Sequence, residues 1–180
     1  MNNNFFDIYI EEIKNKFLSI DQKQLLEVRD LILEIKRNNT KISIVGNGGS
    51  ASIASHVSVD LTKTAGIRST TFNEPNLITC FSNDYGYENW VAKSIENYCL
   101  KGDLVILISS SGESLNLINA AKKTKELGLK LITLTGFNKN NSLSQIGDKN
   151  LWIDSNSYNI VENVHQILLL SVLDKIIIDQ

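Results

Sequence analysis

The chain has 180 residues, of which 42% are hydrophobic and 21% charged, and its formal net charge is −2. This length suits about one domain with a proper core, and the scattered lysines and arginines form no basic patch for nucleic acid or an anionic membrane. Cys80 and Cys99 lack metal-site spacing and fit a reduced, cytoplasmic setting. The first residues do not resemble a secretion signal, and no apolar run reaches the length of about 18 residues that a spanning helix needs.

Two helices are predicted at the start of the chain. Apolar residues recur at helical spacing from Phe5 to Phe17, and Ser19-Ile20-Asp21 interrupts them. We expect these helices to form an N-terminal arm, residues 1–38, on an α/β core spanning 39–180 of a single domain. The second helix is predicted over Gln22–Lys36, with Leu25, Leu26, Val28, Ile32 and Ile35 as its buried residues.

Strands and helices alternate in the rest of the sequence. Continuous apolar strands such as 104–108 are typical of parallel sheets that are covered on both faces. The order predicts a doubly wound α/β domain, a three-layer αβα sandwich around a five-stranded parallel sheet, with ligands at the carboxyl ends of the strands. Strands are predicted near 42–45, 77–81, 104–108, 130–134 and 150–153, and helices over 51–63, 86–99, 114–127 and 159–178.

A glycine-rich turn, Gly46-Asn47-Gly48-Gly49-Ser50, follows the first predicted strand and opens a helix. Glycine allows positive φ and a close approach of the backbone, and the free N–H groups of a helix start attract anions. The turn has no Gly-Lys-Ser/Thr of a P-loop. It nearly matches the dinucleotide fingerprint, with Ala51 in the last place, but no acidic residue follows over 66–72 to bind a ribose. We therefore expect no nucleotide cofactor.

A hydroxyl-rich loop, Ser109-Ser110-Ser111-Gly112-Glu113-Ser114, follows the strand at 104–108. Serine hydroxyls hydrogen-bond phosphate oxygens without adding charge. Either turn alone could be a tight connection or a helix N-cap. Together they predict one phosphorylated ligand held between them.

The last predicted helix is apolar on nearly all sides from Ile167 to Ile178. Such a helix must be buried on most of its surface. The N-terminal helices could cover part of it, and a second copy of the chain is at least as good a cover. We therefore expect a symmetric oligomer with helical subunit contacts.

These motifs, in this order and spacing, resemble the sugar isomerase (SIS) domain family, and most of all its sedoheptulose 7-phosphate isomerase group, also called phosphoheptose isomerase. The resemblance runs from about residue 5 to the end. It implies a flavodoxin-like sandwich, a homotetramer with active sites between subunits, and a phosphosugar whose phosphate lies on the serine-rich loop. It rests on Gly46–Ser50, His56, Asn83–Gly86 and Ser109–Ser114, and implies substrate contacts from Asn47, Gly48, Gly49, Ser50, Asn83, Asp84, Ser109, Ser110, Ser111, Ser114 and Glu162.

The resemblance also implies aldose–ketose isomerisation through an enediolate, at a site that zinc helps to organise. This reaction needs a base for the carbon-bound proton and a group that stabilises the oxyanion. His56 and Asp60 lie at i and i+4 on one helix face, where the family has His and Glu. Asp60 therefore occupies the position of the family's catalytic glutamate. Its side chain is one methylene shorter, which moves the base by roughly 1 Å.

The C-terminal helix departs further from the family pattern. Glu162 matches a Gln, and Leu170 replaces the His that binds zinc and moves a proton in the family. His165 would face about 140° away from Leu170 and is no simple substitute. His56, Asp60 and Glu162 are the remaining candidate zinc ligands. The alternative is that His56 is a partly buried histidine with satisfied hydrogen bonds, and that both carboxylates are surface or capping residues.

Three functions follow from these residues. The first is a phosphosugar isomerase that interconverts sedoheptulose 7-phosphate and D-glycero-D-manno-heptose 7-phosphate for surface polysaccharides, with Asp60 as base and His56 as metal ligand or second acid/base group. The second is a non-catalytic SIS-fold protein that binds a phosphosugar or docks on a protein partner, because Leu170 can neither bind zinc nor move a proton. The third is another reaction on a related sugar, with Glu162 as the base.

Overall fold

Five parallel strands form the middle layer of the fold, which we describe from a computed structural model covering residues 4–179. Along the sheet they follow the order β2-β1-β3-β4-β5, so the chain order reverses between β1 and β3. Sheets of this type bind ligands at that reversal, outside the carboxyl ends of the strands. The strands are β1 (Ile42–Gly46), β2 (Ser69–Thr70), β3 (Leu104–Ser109), β4 (Lys130–Thr135) and β5 (Lys149–Trp152).

Helices cover both faces of this sheet and complete the predicted three layers. Alternate residues of β1 face opposite layers: Ile44 belongs to an apolar cluster with α2, α3 and α7, and Val45 to a second cluster with α5 and α6. The prediction of an αβα sandwich with N-terminal helices is confirmed. The helices are α1 (Phe5–Leu18), α2 (Gln22–Arg37), α3 (Gly49–Lys63), α4 (Pro75–Tyr85), α5 (Trp90–Tyr98), α6 (Leu115–Glu126) and α7 (Tyr158–Ile178).

The predicted strand at 77–81 is wrong, because this segment is part of α4. Pro75 occupies the first turn of α4, where its missing N–H costs nothing, and the Glu74 side chain accepts a hydrogen bond of 2.9 Å from the Leu77 amide. These helix-start signals outweigh the β-branched residues behind them. The fifth strand is instead the two-residue β2, and the predicted helix over 86–99 begins only at Trp90, because Gly86 ends α4 with a φ of 84°.

The apolar helices predicted over 22–36 and 159–178 are present as α2 and α7, and some of their apolar residues are exposed. In α2 the residues Val28, Ile32 and Ile35 are buried as expected, whereas Leu26 is exposed. The segment 167–178 of α7 was expected to be buried on most sides, and its two end residues are exposed: Ile167 by 41% and Ile178 by 78%. Within residues 4–179 no helix is both long enough and apolar enough to cross a membrane.

His165 lies in the middle of α7 and is a core residue. It is fully buried, and its Nε2–H donates to the carbonyl oxygen of Thr135 at 3.1 Å. Burial penalises the charged ring and lowers the pKa of His165 to about 4, although the hydrogen bond to Thr135 acts in the opposite direction. The protonation state of His165 therefore affects the free energy of unfolding of the domain.

The free energy of unfolding should fall on acidification because the unfolded chain takes up the His165 proton first. The contribution of the neutral His165 ring to the free energy of unfolding is complete above about pH 6.5. It is lost toward pH 4, at about 1.4 kcal/mol per pH unit and about 3 kcal/mol in total. His165→Gln can still donate to Thr135 but does not titrate, so its profile should be flatter. Urea unfolding of both proteins at pH 7, 6 and 5 measures the difference, and parallel profiles would contradict it.

Candidate functional site

A cavity of about 110 Å³ opens where β1 and β3 end, at the reversal of the sheet. The first turn (Gly46–Ser50), the serine loop (Ser109–Ser114) and the start of α7 all contribute to its wall. The structure thus brings the two polar turns to one cavity, as the sequence predicts. The polar side chains in the wall are Asn47, Ser50, Ser109, Ser110, Ser111, Ser114, Tyr158 and Glu162.

Asn47 joins the two turns. Its amide nitrogen donates to Asn116 at 3.0 Å and its amide oxygen accepts from Asn116 at 2.9 Å, so the first turn is held to the beginning of α6. The Tyr87 hydroxyl donates to the same oxygen at 3.3 Å. Most of the hydrogen-bonding capacity of the Asn47 side chain is therefore used within the protein, which fixes the spacing of the turns.

The serine loop has its own internal hydrogen bonds but leaves one hydroxyl without a partner. Ser109 accepts from the Gly112 amide, and Ser111 accepts from the Glu113 amide, both at 3.2 Å. The Ser110 hydroxyl is buried and has no hydrogen-bond partner among the described residues. A buried polar group without a partner is uncommon in proteins, and here it belongs to a residue of the cavity wall.

Glu162 places a carboxylate against the first turn. A Cβ atom added to Gly49 would lie 2.2 Å from Oε2 of Glu162, so a larger residue at the start of α3 would displace this carboxylate from its present position. The positive end of a helix dipole stabilises an anion at such a position. No lysine or arginine lines the cavity in the described chain, so its one formal charge is negative. The Glu162 carboxylate thus partly occupies the first turn, and the serine loop remains as the position for a bound anion.

His56 and Asp60 lie further along α3, on the side that faces α7. Nε2 of His56 is 3.2 Å from Oδ2 of Asp60, and both side chains are partly exposed. Nδ1 of His56 is 3.3 Å from the amide nitrogen of Gln166 in α7. Sequence reasoning missed Gln166, because helical spacing within α7 does not show which of its residues lies opposite His56.

The three predicted zinc ligands do not meet within one chain. Across residues 4–179 no three or more His, Cys, Asp and Glu side chains are close enough to hold one metal ion. Glu162 contacts the first residue of α3, about 10 Å along the helix from His56 by the helical rise. Leu170 offers no ligand atom, and each ring nitrogen of His56 already faces a polar side chain. This donor set does not fit a zinc ion.

Asn83 and Asp84 lie on α4, away from the wall of this cavity. Both are exposed, and the Asn83 amide donates to the Asp84 carboxylate at 2.9 Å. Neither residue lines the cavity at the ends of β1 and β3. Their contact with substrate stays a prediction.

Sequence comparison identifies similar proteins over most of the chain. A family model described as SIS domain matches residues 6–136. The phosphoheptose isomerase of Aliarcobacter butzleri is 36% identical over 163 residues, which cover 86% of this chain and 85% of that protein. The phosphoheptose isomerase of Helicobacter pylori strain P12 is 33% identical over 169 residues, which cover 91% of this chain and 87% of that protein.

Solved structures with the same fold cover nearly the whole chain. A phosphoheptose isomerase from Neisseria gonorrhoeae superposes with a TM-score of 0.86 at 26% identity, covering 95% of this chain and 94% of that one. A phosphoheptose isomerase from Francisella tularensis gives the same TM-score at 22% identity, covering 97% and 95%, and this likeness supports the fold alone.

Proposed function

Because this chain belongs to the SIS domain family and, within it, to the phosphoheptose isomerase group, we propose that it interconverts sedoheptulose 7-phosphate and D-glycero-D-manno-heptose 7-phosphate. The reaction would supply heptose for surface polysaccharides from the cytoplasm. The observation that carries the proposal is the cavity that both turns share at the reversal of the sheet.

The serine loop is the proposed phosphate site. Its hydroxyls can donate to phosphate oxygens, and the loop leads into the N-terminus of α6, whose positive dipole end favours an anion. Glu162, at the other side of the cavity, would repel the phosphate and can accept hydrogen bonds from sugar hydroxyls. The charge distribution therefore favours a phosphate on the serine loop and a polyol chain toward α3 and α7.

Asp60 is the proposed base. In the ketose-to-aldose direction it would take a proton from C1, giving an enediolate, and return it to C2, while the hydroxyl proton moves between the two oxygens. His56 lies beside Asp60, with Nε2 3.2 Å from Oδ2, and can orient this carboxylate. No step is assigned to a metal ion, because the residues present do not fit one.

Exchange with solvent tests the proposed reaction directly. Incubation of the protein with sedoheptulose 7-phosphate in D2O should produce the aldose phosphate with deuterium at C2. NMR of the product measures this deuterium incorporation. Binding without any deuterium incorporation would favour the second candidate, a phosphosugar-binding protein without turnover. One observation supports that candidate: Leu170 replaces the family's catalytic histidine.

We also propose a homotetramer with active sites between subunits. Large apolar side chains of α1 and α7 are exposed on the isolated chain and would be covered by contact with another copy. The partly exposed His56 and Asp60 could then be covered by a neighbouring subunit. The exposed large hydrophobic residues of α1 and α7 are Phe5, Phe6, Ile8, Ile10, Leu18, Tyr158, Ile167 and Ile178.

Ser110→Ala should weaken phosphosugar binding without lowering the free energy of unfolding. The Ser110 hydroxyl has no partner in the described protein, so its removal costs no internal hydrogen bond. Loss of its hydrogen bond to a charged phosphate should cost about 1 to 2 kcal/mol in binding. Calorimetric titration with sedoheptulose 7-phosphate and urea unfolding measure the two quantities. Ser144→Ala, outside the cavity, is the control, and an unchanged dissociation constant in Ser110→Ala would count against the phosphate site.

A further inference from the structure

We infer that Gln166 is a positioning residue of this site. Its amide fixes the tautomer of His56 and, through His56, the orientation of Asp60. In this arrangement no ring nitrogen of His56 is left for a metal. The inference deepens the proposed function and rests on it for the role of Asp60. The side chains involved form a short row across two helices, with Gln166 on α7 and both His56 and Asp60 on α3.

The contacts at both ends of the imidazole select one tautomer. The amide nitrogen of Gln166 is a donor and lies 3.3 Å from Nδ1, so Nδ1 must carry the lone pair. The other nitrogen, Nε2, then carries the hydrogen, and it lies 3.2 Å from Oδ2 of Asp60. A carboxylate oxygen favours an N–H over a second lone pair. The two neighbours of His56 therefore favour the same tautomer.

This agreement matters because Asp60 is a short base. Its carboxylate is joined to the helix backbone by a single methylene, and small errors in the placement of a base cost large factors in rate. A His56 ring held by Gln166 gives one oxygen of Asp60 a fixed neighbour and leaves the other oxygen for the substrate. Gln166 thus acts through His56, without contact to the reacting carbons.

The same contacts explain why the donor set does not fit a metal. An imidazole binds a metal through an unprotonated nitrogen, and the one such nitrogen of His56 faces the amide of Gln166. One helical turn beyond Gln166, Leu170 packs against the apolar cluster of α2, α3 and α7. A bound ion would need to displace the Gln166 amide, with no ligand from Leu170 in return.

Nitrogen NMR of the histidine rings tests the tautomer without any activity assay. The chain has two histidines, and His165→Gln identifies the signals of His56. The ring nitrogen shifts of His56 should report hydrogen on Nε2 and a lone pair on Nδ1, and one equivalent of zinc should leave them unchanged. A Nδ1–H form, an equal mixture of tautomers, or a zinc-induced shift at one equivalent would each overturn the inference.

Gln166→Met tests the positioning role, because methionine keeps the length of the side chain and removes its donor. We expect a larger fraction of the Nδ1–H tautomer at His56 and a kcat lower by about 10- to 100-fold, with KM within about twofold, as for a misplaced catalytic group. Asn163→Ala, also on α7 but bonded only to its own helix, should leave both readouts unchanged. A kcat of Gln166→Met within twofold of the wild type would reject the role.

These experiments separate the inference from the proposed reaction. If the wild-type protein shows no turnover, the proposed reaction fails, and the tautomer and zinc measurements still decide whether Gln166 holds His56. If turnover is present and the tautomer is mixed, the reaction stands and the positioning role fails.

Discussion

Asp60→Asn should abolish most isomerisation while phosphosugar binding and folding persist. The amide is nearly isosteric and can still face His56, but it cannot accept the carbon-bound proton. Loss of a general base lowers rates by about 10²- to 10⁴-fold, so kcat should fall in this range with a dissociation constant close to that of the wild type. A coupled assay for the aldose phosphate and calorimetric titration measure the two quantities.

Two variants make the Asp60 result specific. Asp174→Asn removes a carboxylate from an exposed position of α7 and should retain full activity. Asp60→Glu restores the side-chain length that the family has at this position and should keep substantial activity. If Asp60→Asn retains wild-type kcat, the base is another residue, and Glu162 becomes the first alternative.

Glu162→Gln should tighten the binding of inorganic phosphate and of sedoheptulose 7-phosphate. The wild-type carboxylate shares a cavity of about 110 Å³ with the serine loop, and no lysine or arginine of the described chain lines it. Two like charges about 6 Å apart repel by about 1 to 3 kcal/mol at an effective dielectric constant between that of water and about 20. The neutral amide removes this repulsion and keeps the shape, so the dissociation constant should fall by about 5- to 100-fold.

Salt and a remote charge provide the controls for Glu162→Gln. The gain should shrink at high ionic strength, because salt screens charge repulsion. Glu126→Gln removes a charge at the far end of α6 and should change the dissociation constant little. Weaker phosphate binding in Glu162→Gln would show that the carboxylate does not oppose the phosphate. Tighter binding with a complete loss of turnover would assign the catalytic base to Glu162 in place of Asp60.

The central strands and the longer helices could be predicted from sequence because local pattern and tertiary burial agree there. β1 and β3 are apolar apart from Ser43 and Ser109, and the structure buries every one of their residues. At 77–81 local composition and structure disagree: a proline and a capping glutamate start a helix through β-branched residues that are only partly buried. The true edge strand, β2, has two residues and no apolar pattern of its own.

The two turns of the site were predictable for a similar reason, since each is a polar segment directly after a buried strand. What could not be predicted depends on how α3 and α7 cross. The approach of Glu162 to Gly49, and of Gln166 to His56, joins residues more than a hundred positions apart. Helical spacing shows which residues share one face of one helix, but it does not show which residue of another helix lies opposite. For that reason Glu162 was grouped with His56, and Gln166 was overlooked.

The paired amides of Asn47 and Asn116 have a consequence for the kinetics of ligand capture. They tie the end of β1 to the start of α6 across the cavity, and Tyr87 adds a third anchor. The residues that line the cavity are already ordered in the folded protein. Ligand binding therefore requires little further ordering that would slow association. Association with this preorganised pocket should then be governed by diffusion and orientation, and differences in affinity among sugars should reside in how long each one stays.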